Sequence, residues 1–525
     1  MKKFLSMAIC LMLTVLSISG CGGKSSGSKS NVGFNETGLP IAKEPVTLEV
    51  GVLRAQHIAP FESMELLKDL EEKTNVHVQW REFPADSFIE QINLMFASED
   101  YPDILWKGVT EDQILQYGPT GHMVELSELI DKYAPNWKAT FEANPYIKQM
   151  ATAPNGKIYS LPKVQINKYN SGYRDTWFIN KQWLDKLGLK TPTNVDEYVN
   201  VLKQFKERDP NGNGKQDEIP WTFIYNSYAN GNFDIFGSFG ELDGPNHIFV
   251  KDSKVLYTAT TEANKEAIKY QNKLYSAGLI DPEVFTQNVS QFRAKLKSEP
   301  NLVGSFPAWN GGAELPVDKL KGDKAVYVPM TPLNGPNGER AKFRVQTNEI
   351  ERGYFTIFKN NKYPEISMRW ADEMLSGDFS MQALYGPLEV QSDGMYKLVE
   401  NPNSQFVTNV PANYGPFVVF QKDVDKIVAS PQEDLRREQY KIYEPYTVDK
   451  SEIYPRVFFT PEQRKVLSTY ETDLIEYVKT THARWITQGG IDQEWDAFVA
   501  KVNSMNLNEI LKTYQDALDT FNKNK

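Results

Sequence analysis

Residues 209 to 218 read DPNGNGKQDE, which sets side-chain oxygens at alternate positions Asp209, Asn211 and Asn213 and brings Asp217 and Glu218 in behind them. A hard cation such as calcium takes about six to eight oxygens at once, and a tight loop with donors at positions one, three, five and nine supplies several of them from one stretch of chain. Gly212 and Gly214 permit the turns such a loop needs. The pattern is regular at its start and irregular at its end, because the position where an EF-hand carries its bidentate glutamate is Pro220 here. The alternative is an Asx-rich turn without metal, since Asn, Asp and Gly favour turns by themselves. A metal here would be structural, as nothing nearby offers an open catalytic position.

The second set of residues with chemistry to offer is aromatic. The chain has 10 Trp, 26 Tyr and 28 Phe, more Tyr and Trp than packing alone needs, which points toward carbohydrate or peptide recognition. A sugar presents apolar C–H faces and a rim of hydroxyls, so its sites pair rings with a few planar polar side chains. Trp106 directly follows the PDIL segment and Trp309 closes GSFPAW. Both sit at the carboxyl ends of expected strands, where open α/β sheets bind ligands. For any one of these rings the alternative is core packing. The five histidines, His57, His77, His122, His247 and His482, show no metal-ligand spacing. No G-x-S-x-G, H-E-x-x-H or phosphate-cradling glycine loop is present. A pair of glycosidase carboxylates, which can lie far apart in sequence, is not excluded by that search.

At the N-terminus Lys2 and Lys3 precede the apolar run FLSMAICLMLTVLSIS, as in a secretory signal. The run is shorter than the ~20 residues of a membrane-spanning helix. Ile18-Ser19-Gly20-Cys21 resembles the lipobox of bacterial lipoproteins, which implies cleavage before Cys21 and acylation (palmitate) of its thiol. The GGKSSGSKSN stretch behind it has nothing to bury and is expected to be a flexible coil. Residues 1–20 are therefore expected as signal peptide and 21–45 as a lipidated tether. Localisation would be the extracytoplasmic face of the cell membrane. Cys10 leaves with the signal, so no disulfide remains. The roughly 480 residues from position 46 onward can bury a large core and argue for more than one lobe. The formal charge of −10 becomes −12 when Lys2 and Lys3 are removed, which speaks against nucleic acid as a partner.

The elements that must position these residues follow from hydrophobic period. VTLEVGVL alternates as a strand does, Met64, Leu67 and Leu70 have helical spacing, and Val76, Val78 and Trp80 alternate again. Phe88, Ile92, Met95 and Phe96 return to the helical period, PDILW is a short strand, and VELSELIDKY a helix. This β-α-β-α-β order predicts an α/β layer with mostly parallel strands. Downstream, YRDTWFIN reads as extended. Gly188 suits a helix C-terminus. Thr193 with Asp196 and Glu197 has the pattern of a capping box ahead of a helix whose inner face is Val195, Tyr198, Leu202 and Phe205. A further helix covers Ala263 to Leu274 and stops near Gly278, and the last hundred residues are mainly helical.

Three stretches carry a family likeness: FNETGLPIAKEPVTLEV, WLDKLGLKTPTNVDEYVNVLKQFKERDPNGNGKQDEIP and DLIEYVKTTHARWITQGGIDQEWDAFV. Together they resemble the extracellular solute-binding lipoproteins of carbohydrate ABC importers, in the branch with the alginate-binding proteins. The resemblance implies an α/β two-lobed clamshell of the periplasmic-binding-protein kind, with hinge crossings. Lobe 1 would be 46–170 with part of 340–420, and lobe 2 would be 171–340 with part of 421–525. It implies that the loop closes on calcium with Glu218 and the Lys215 carbonyl added to Asp209, Asn211, Asn213 and Asp217. It implies sugar-stacking roles for Trp106 and Trp309. Tyr173 and Arg174 would lie at a crossing between lobes, and Tyr225 and Tyr385 would be further ligand contacts. The implied function is a non-catalytic, monomeric lipoprotein that captures an oligosaccharide and hands it to ABC permease subunits. A secreted polysaccharide-cleaving enzyme and a clamshell sensor for a membrane kinase are the alternatives.

Overall fold

The computed structural model describes residues 33–56, 58–171, 175–309, 311–345, 349–399, 408–428 and 430–523. In chain order the strands are β1 (Val46–Arg54), β2 (Val76–Pro84), β3 (Ile104–Trp106), β4 (Leu161–Ile166), β5 (Thr176–Asn180), β6 (Ile219–Trp221), β7 (Ile248–Lys251), β8 (Lys254–Tyr257), β9 (Val303–Ala308), β10 (Tyr327–Pro329), β11 (Ile350–Ile357), β12 (Leu388–Val390), β13 (Tyr396–Leu398) and β14 (Val418–Phe420). They form a six-stranded sheet in the order β14-β4-β11-β3-β1-β2, a four-stranded sheet in the order β10-β5-β9-β6, and the hairpins β7-β8 and β12-β13. Each large sheet is the centre of one α/β lobe.

The opening β-α-β-α-β segment forms as its periodicity requires. β1 pairs in parallel with both β2 and β3. The helix Phe88–Ser98 buries Phe88, Ile92, Met95 and Phe96, the face its spacing selects. Leaving one such side chain exposed instead would forfeit about 1.5–3 kcal/mol. What periodicity does not foresee is β11, which comes from some 250 residues further along the chain and inserts antiparallel between β3 and β4. Between Glu351 and Phe355 its register shifts. Gly353 sits there at φ +74°, and a Cβ on it would lie 2.0 Å from the Val109 carbonyl, so only glycine fits this close approach.

Strand direction places the ends that matter. β1, β2, β3, β4 and β14 all run one way and finish at Arg54, Pro84, Trp106, Ile166 and Phe420, while β11 starts at that same edge. In the second sheet β6, β9 and β10 finish at the edge where β5 begins. The chain passes from β4 to β5 and returns from β10 to β11, so both passages join carboxyl edges. Tyr443, fully buried on helix Pro431–Tyr443, ties the two passages together: its hydroxyl accepts from Trp177 N at 2.7 Å and donates to the Met330 carbonyl at 2.8 Å.

Two expectations shift. The cap of helix Val195–Glu207 is Asn194, whose Oδ1 accepts from Asp196 N and Glu197 N, with Thr193 bonded to the Glu197 carboxylate beside it. The tether expected up to residue 45 ends earlier, because Ile41 and Ala42 are fully buried, both donate to the Thr74 carbonyl, and the Phe34 ring packs edge-on against Tyr133. Ile41 and Ala42 have apolar surface to bury and the Gly/Ser run does not. Gly188 caps its helix at φ +69° as expected. Among the described residues no helix is long and apolar enough to cross a membrane.

Candidate functional site

The lobe 2 edge carries a chain of polar contacts around an open ring. Trp309 follows β9 and is 49% exposed, and its backbone N donates to Asn230 Oδ1 at 2.8 Å. Asn230 N donates to Asp175 Oδ2 at 3.1 Å, and Asn230 Nδ2 to Glu314 Oε1 at 3.2 Å. Arg293 meets the buried Glu314 carboxylate from outside at 2.7 Å. Beside Asp175 lies Arg344, whose Nε and Nη2 bond both oxygens of Asp234 at 2.7 and 3.0 Å. Arg344 lies under the exposed Tyr228 ring at 4.9 Å. Burial works against the Arg344 charge, but the Asp234 carboxylate outweighs it and holds the guanidinium pKa above its usual value. Nη1 of the same guanidinium is buried with no acceptor among the described residues. Buried polar groups are rarely left so, and a ligand oxygen or water would satisfy it. Asp175 at φ +53° and Asn230 at φ +57° are non-glycine residues in the left-handed region, a conformation that costs energy and gathers at functional edges.

The structure separates the two tryptophans expected to stack on sugar. Trp106 is fully buried. Its ring stacks on Trp370 at 5.4 Å and meets Trp80 at 5.1 Å, Phe417 at 5.9 Å and Phe61 at 6.4 Å edge-on. No face is left for a ligand, so the stacking role is corrected to core packing of lobe 1: as the last residue of β3, it points its side chain into the helix layer rather than out of the edge. Tyr225 is also corrected, because its hydroxyl donates to the Lys479 carbonyl at 2.7 Å and its ring packs on Phe285 at 4.8 Å. Burial raises its pKa, as expected of a ring held between layers. Tyr385 ends helix Phe379–Tyr385 half-buried against the small cluster of Met381, Val419, Val424 and Ile427. Tyr173, Arg174 and Cys21 lie outside the described residues.

Residues that spacing did not single out stand on the lobe 1 edge. Lys163 pairs with Glu351 at 2.6 Å across the β4–β11 register, with Tyr354 donating to the other Glu351 oxygen at 3.2 Å. Asn230, Asp234 and Arg344 were likewise missed. Their signal is tertiary, because Arg344 is 110 residues from Asp234 in sequence.

The loop at 209–218 is folded around its own acids. Asp209 accepts from the backbone N of Gly212, Asn213 and Gly214 at 2.8 to 3.1 Å. Asp217 accepts from the side-chain amides of Asn211 and Asn213 at 2.9 to 3.1 Å, which hold its carboxyl below the ordinary range. Both carboxylate oxygens of Glu218 are buried with no well-formed hydrogen bond among the described residues, and burial raises its pKa against the weaker pull of the nearby Glu218 and Asn211 backbone N–H groups. Lys186 closes the loop from outside, donating to the Pro210 carbonyl at 2.9 Å. Among the described residues no three acids, histidines or cysteines are drawn close enough to hold a metal as they stand. The donor set nevertheless suits a hard cation: it is all oxygen, and a cation in the loop would hold the buried Glu218 carboxylate in its ionised form.

Two α/β lobes joined through their carboxyl edges, with a ring and a polar cluster on one of them, define a two-lobed binding protein. The chain belongs to the bacterial extracellular solute-binding protein family, whose profile matches residues 61–378. It is similar to the fructooligosaccharide ABC transporter substrate-binding protein FusA of Streptococcus pneumoniae, 30% identical over 558 aligned residues covering 100% of this chain and 99% of that one. It is also similar to lipoprotein LipO of Bacillus subtilis, 25% identical over 65% of this chain and 63% of that one. The structure of S. pneumoniae FusA in complex with kestose superposes with a TM-score of 0.80 at 29% identity, covering 91% of this chain and 100% of that one. An EF-hand mutant of FusA with fructo-nystose gives 0.80 at 28% identity over the same shares. The alginate-binding protein AlgQ2 without calcium ion shares the fold, at a TM-score of 0.70 and 24% identity over 91% of this chain and 98% of that one. FusA is a substrate-binding protein of an ABC transporter, not an enzyme, and the polysaccharide-cleaving alternative is set aside.

Proposed function

We propose that this protein captures an oligosaccharide between its two lobes and delivers it to an ABC permease. The observation that carries the reading is Trp309: an exposed ring at a strand's carboxyl edge, fixed through its backbone to the Asn230–Asp175–Arg344 cluster. Rings of this kind cover a sugar face while the polar side chains around them sort the hydroxyls. Full-length similarity to a fructooligosaccharide binder makes fructans the first ligands to test. In this reading lobe 1 is 46–170 with part of 340–420, and lobe 2 is 171–340 with part of 421–525. Ligand contacts made with both lobes only in the closed form would drive closure. The test is calorimetry with a glycan panel headed by kestose, on wild type and Trp309→Ala. Losing a ring that packs on a ligand costs on the order of 2 kcal/mol, about thirtyfold in affinity. An unchanged affinity in the folded variant would remove Trp309 from the site.

We infer that the 209–218 loop holds one structural calcium through Asp209, Asn211, Asn213, Asp217, Glu218 and the Lys215 carbonyl. The buried Glu218 oxygens, turned into the loop with no well-formed hydrogen bond among the described residues, support it, as does the existence of an EF-hand in the relative FusA. The ion would supply charge that lets three acids share one loop. A ligand bound only by the native state stabilises by mass action, so a chelator should lower the melting temperature and added calcium restore it. Asp209→Ala should lose that response. A melting curve blind to chelator, with no calcium in elemental analysis, would leave only an Asx turn.

The Ile18-Ser19-Gly20-Cys21 box and the similarity to LipO support a lipid on Cys21 and a place on the extracytoplasmic face of the membrane. Cys21→Ala cells should shed the protein or accumulate its precursor. Palmitate labelling that persists in the variant contradicts the assignment.

A further inference from the structure

The cations of the two facing edges are not paired alike. Lys163 is neutralised by Glu351, Arg352 by Glu111 at 2.7 Å and, on lobe 2, Arg344 by Asp234 and Arg293 by Glu314. Lys107, the residue directly after β3, has neither a carboxylate within ion-pair distance nor a hydrogen-bond acceptor for its ammonium among the described residues. It is only half-exposed to water, and its Nζ lies 4.6 Å from the ring centre of Tyr414 and 5.6 Å from that of Tyr354, both rings buried. Burial lowers its pKa. Its backbone is also strained, with φ +50° at a lysine followed by Gly108 at φ +125°. A left-handed lysine whose charge is partly stripped of water, with its three N–H groups unused by the described residues, is a net stability cost that the pull of the Glu351 carboxylate and the two tyrosine faces only partly offset. The backbone cannot relax easily, because Lys107 N donates to the Tyr354 carbonyl at 3.2 Å and the next residue packs beneath Phe88.

We propose that Lys107 is the charged donor that lobe 1 offers to the bound saccharide, its ammonium hydrogen-bonding sugar oxygens while the turn at 107–108 keeps it aimed from the β3 end into the space between the lobes. The inference deepens the oligosaccharide reading above and rests on it. In this arrangement lobe 2 supplies the stacking face of Trp309 and lobe 1 supplies the ammonium, so a ligand touching both favours the closed form. The tyrosine faces hold the cation in place without consuming its N–H groups, which a carboxylate partner would do.

The experiment compares wild type, Lys107→Met and Lys107→Gly in calorimetric titrations with kestose and with a trigalacturonate, alongside melting temperatures without ligand. Hydrogen bonds from a charged group to a ligand carry about a tenfold or larger share of affinity. Both variants should therefore bind the sugar that wild type binds at least tenfold more weakly. Their ligand-free melting temperatures should equal that of wild type or exceed it, most clearly for Lys107→Gly, which relieves the backbone as well. A lysine with a purely structural role gives the opposite pattern, lower melting temperature with unchanged affinity, and that result overturns the proposal. If wild type binds neither probe nor any other glycan while Trp309→Ala is equally silent, it is the oligosaccharide reading itself that fails. Wild-type binding with undiminished binding by Lys107→Met defeats the Lys107 assignment alone.

Discussion

Trp106→Ala is expected to lower the stability of lobe 1 by about 3 to 5 kcal/mol and to leave the affinity of the folded fraction for its sugar unchanged. The ring is fully buried and in contact with Trp370, Trp80, Phe417 and Phe61, so truncation opens a cavity among large rigid rings that cannot collapse into it. Such a loss is a large part of the 5–15 kcal/mol that typically separates folded from unfolded. Trp106→Phe should cost less, because the indole Nε1 has no acceptor and only volume is lost. Denaturant unfolding of the ligand-free protein, paired with calorimetry, reads both quantities. Weakened sugar binding at unchanged stability would return Trp106 to the cleft.

The second large effect concerns acid. His482 is buried on helix Pro461–Gln488, stacked at 5.9 Å on Trp485 and at 5.6 Å from the His247 ring, whose Nδ1 bonds Asp243 at 2.9 Å. Burial first, and then the neighbouring His247, pushes the His482 pKa down to about 3, against the pull of Asp243. The unfolded chain protonates this imidazole below its ordinary 6.5 while the folded chain does not. The stability it contributes is therefore fully present above pH 6.5 and is lost as pH falls toward 3. The slope is about 1.4 kcal/mol per pH unit, or roughly 2 kcal/mol by pH 5. Asp243, also held below its usual pKa, adds acid sensitivity in the same direction at lower pH. His482→Phe should flatten the stability profile by about that slope between pH 6.5 and 3. A variant that loses stability with acid as steeply as wild type would show that His482 stays neutral in both states or protonates in both.

The lobe 1 elements were legible because their apolar residues repeat at the period of the element that buries them, and burial of one face is a local demand. The helix at Phe88, Ile92, Met95 and Phe96 and the strand at Val46 to Arg54 are cases where that demand meets no competitor. The 209–218 loop was legible for a related reason: its donors, glycines and turns lie within ten residues, so spacing alone brings them together. β11 was not. Its partners come from far away in the chain, and an alternating segment carries no mark of which strands will flank it.

The tryptophans show the limit most plainly. Trp106 and Trp309 have the same local description, a tryptophan at the end of a short apolar strand, and the structure buries one completely while leaving the other half open. Composition, the lysine-led apolar run at the N-terminus, the calcium-like loop and the α/β order follow from residues near one another in the chain. The fate of each strand-end ring depends on which distant residues cover it: Trp370 and Phe417 close over Trp106, while Trp309, tethered through its backbone to Asn230, stays half exposed. The pairing of Arg344 with Asp234 and the placing of the Lys107 ammonium over the Tyr354 and Tyr414 rings are decided the same way. Charge pairing and burial depend on distances in space between segments that the chain itself separates by a hundred residues or more, so only the packed lobes can set them.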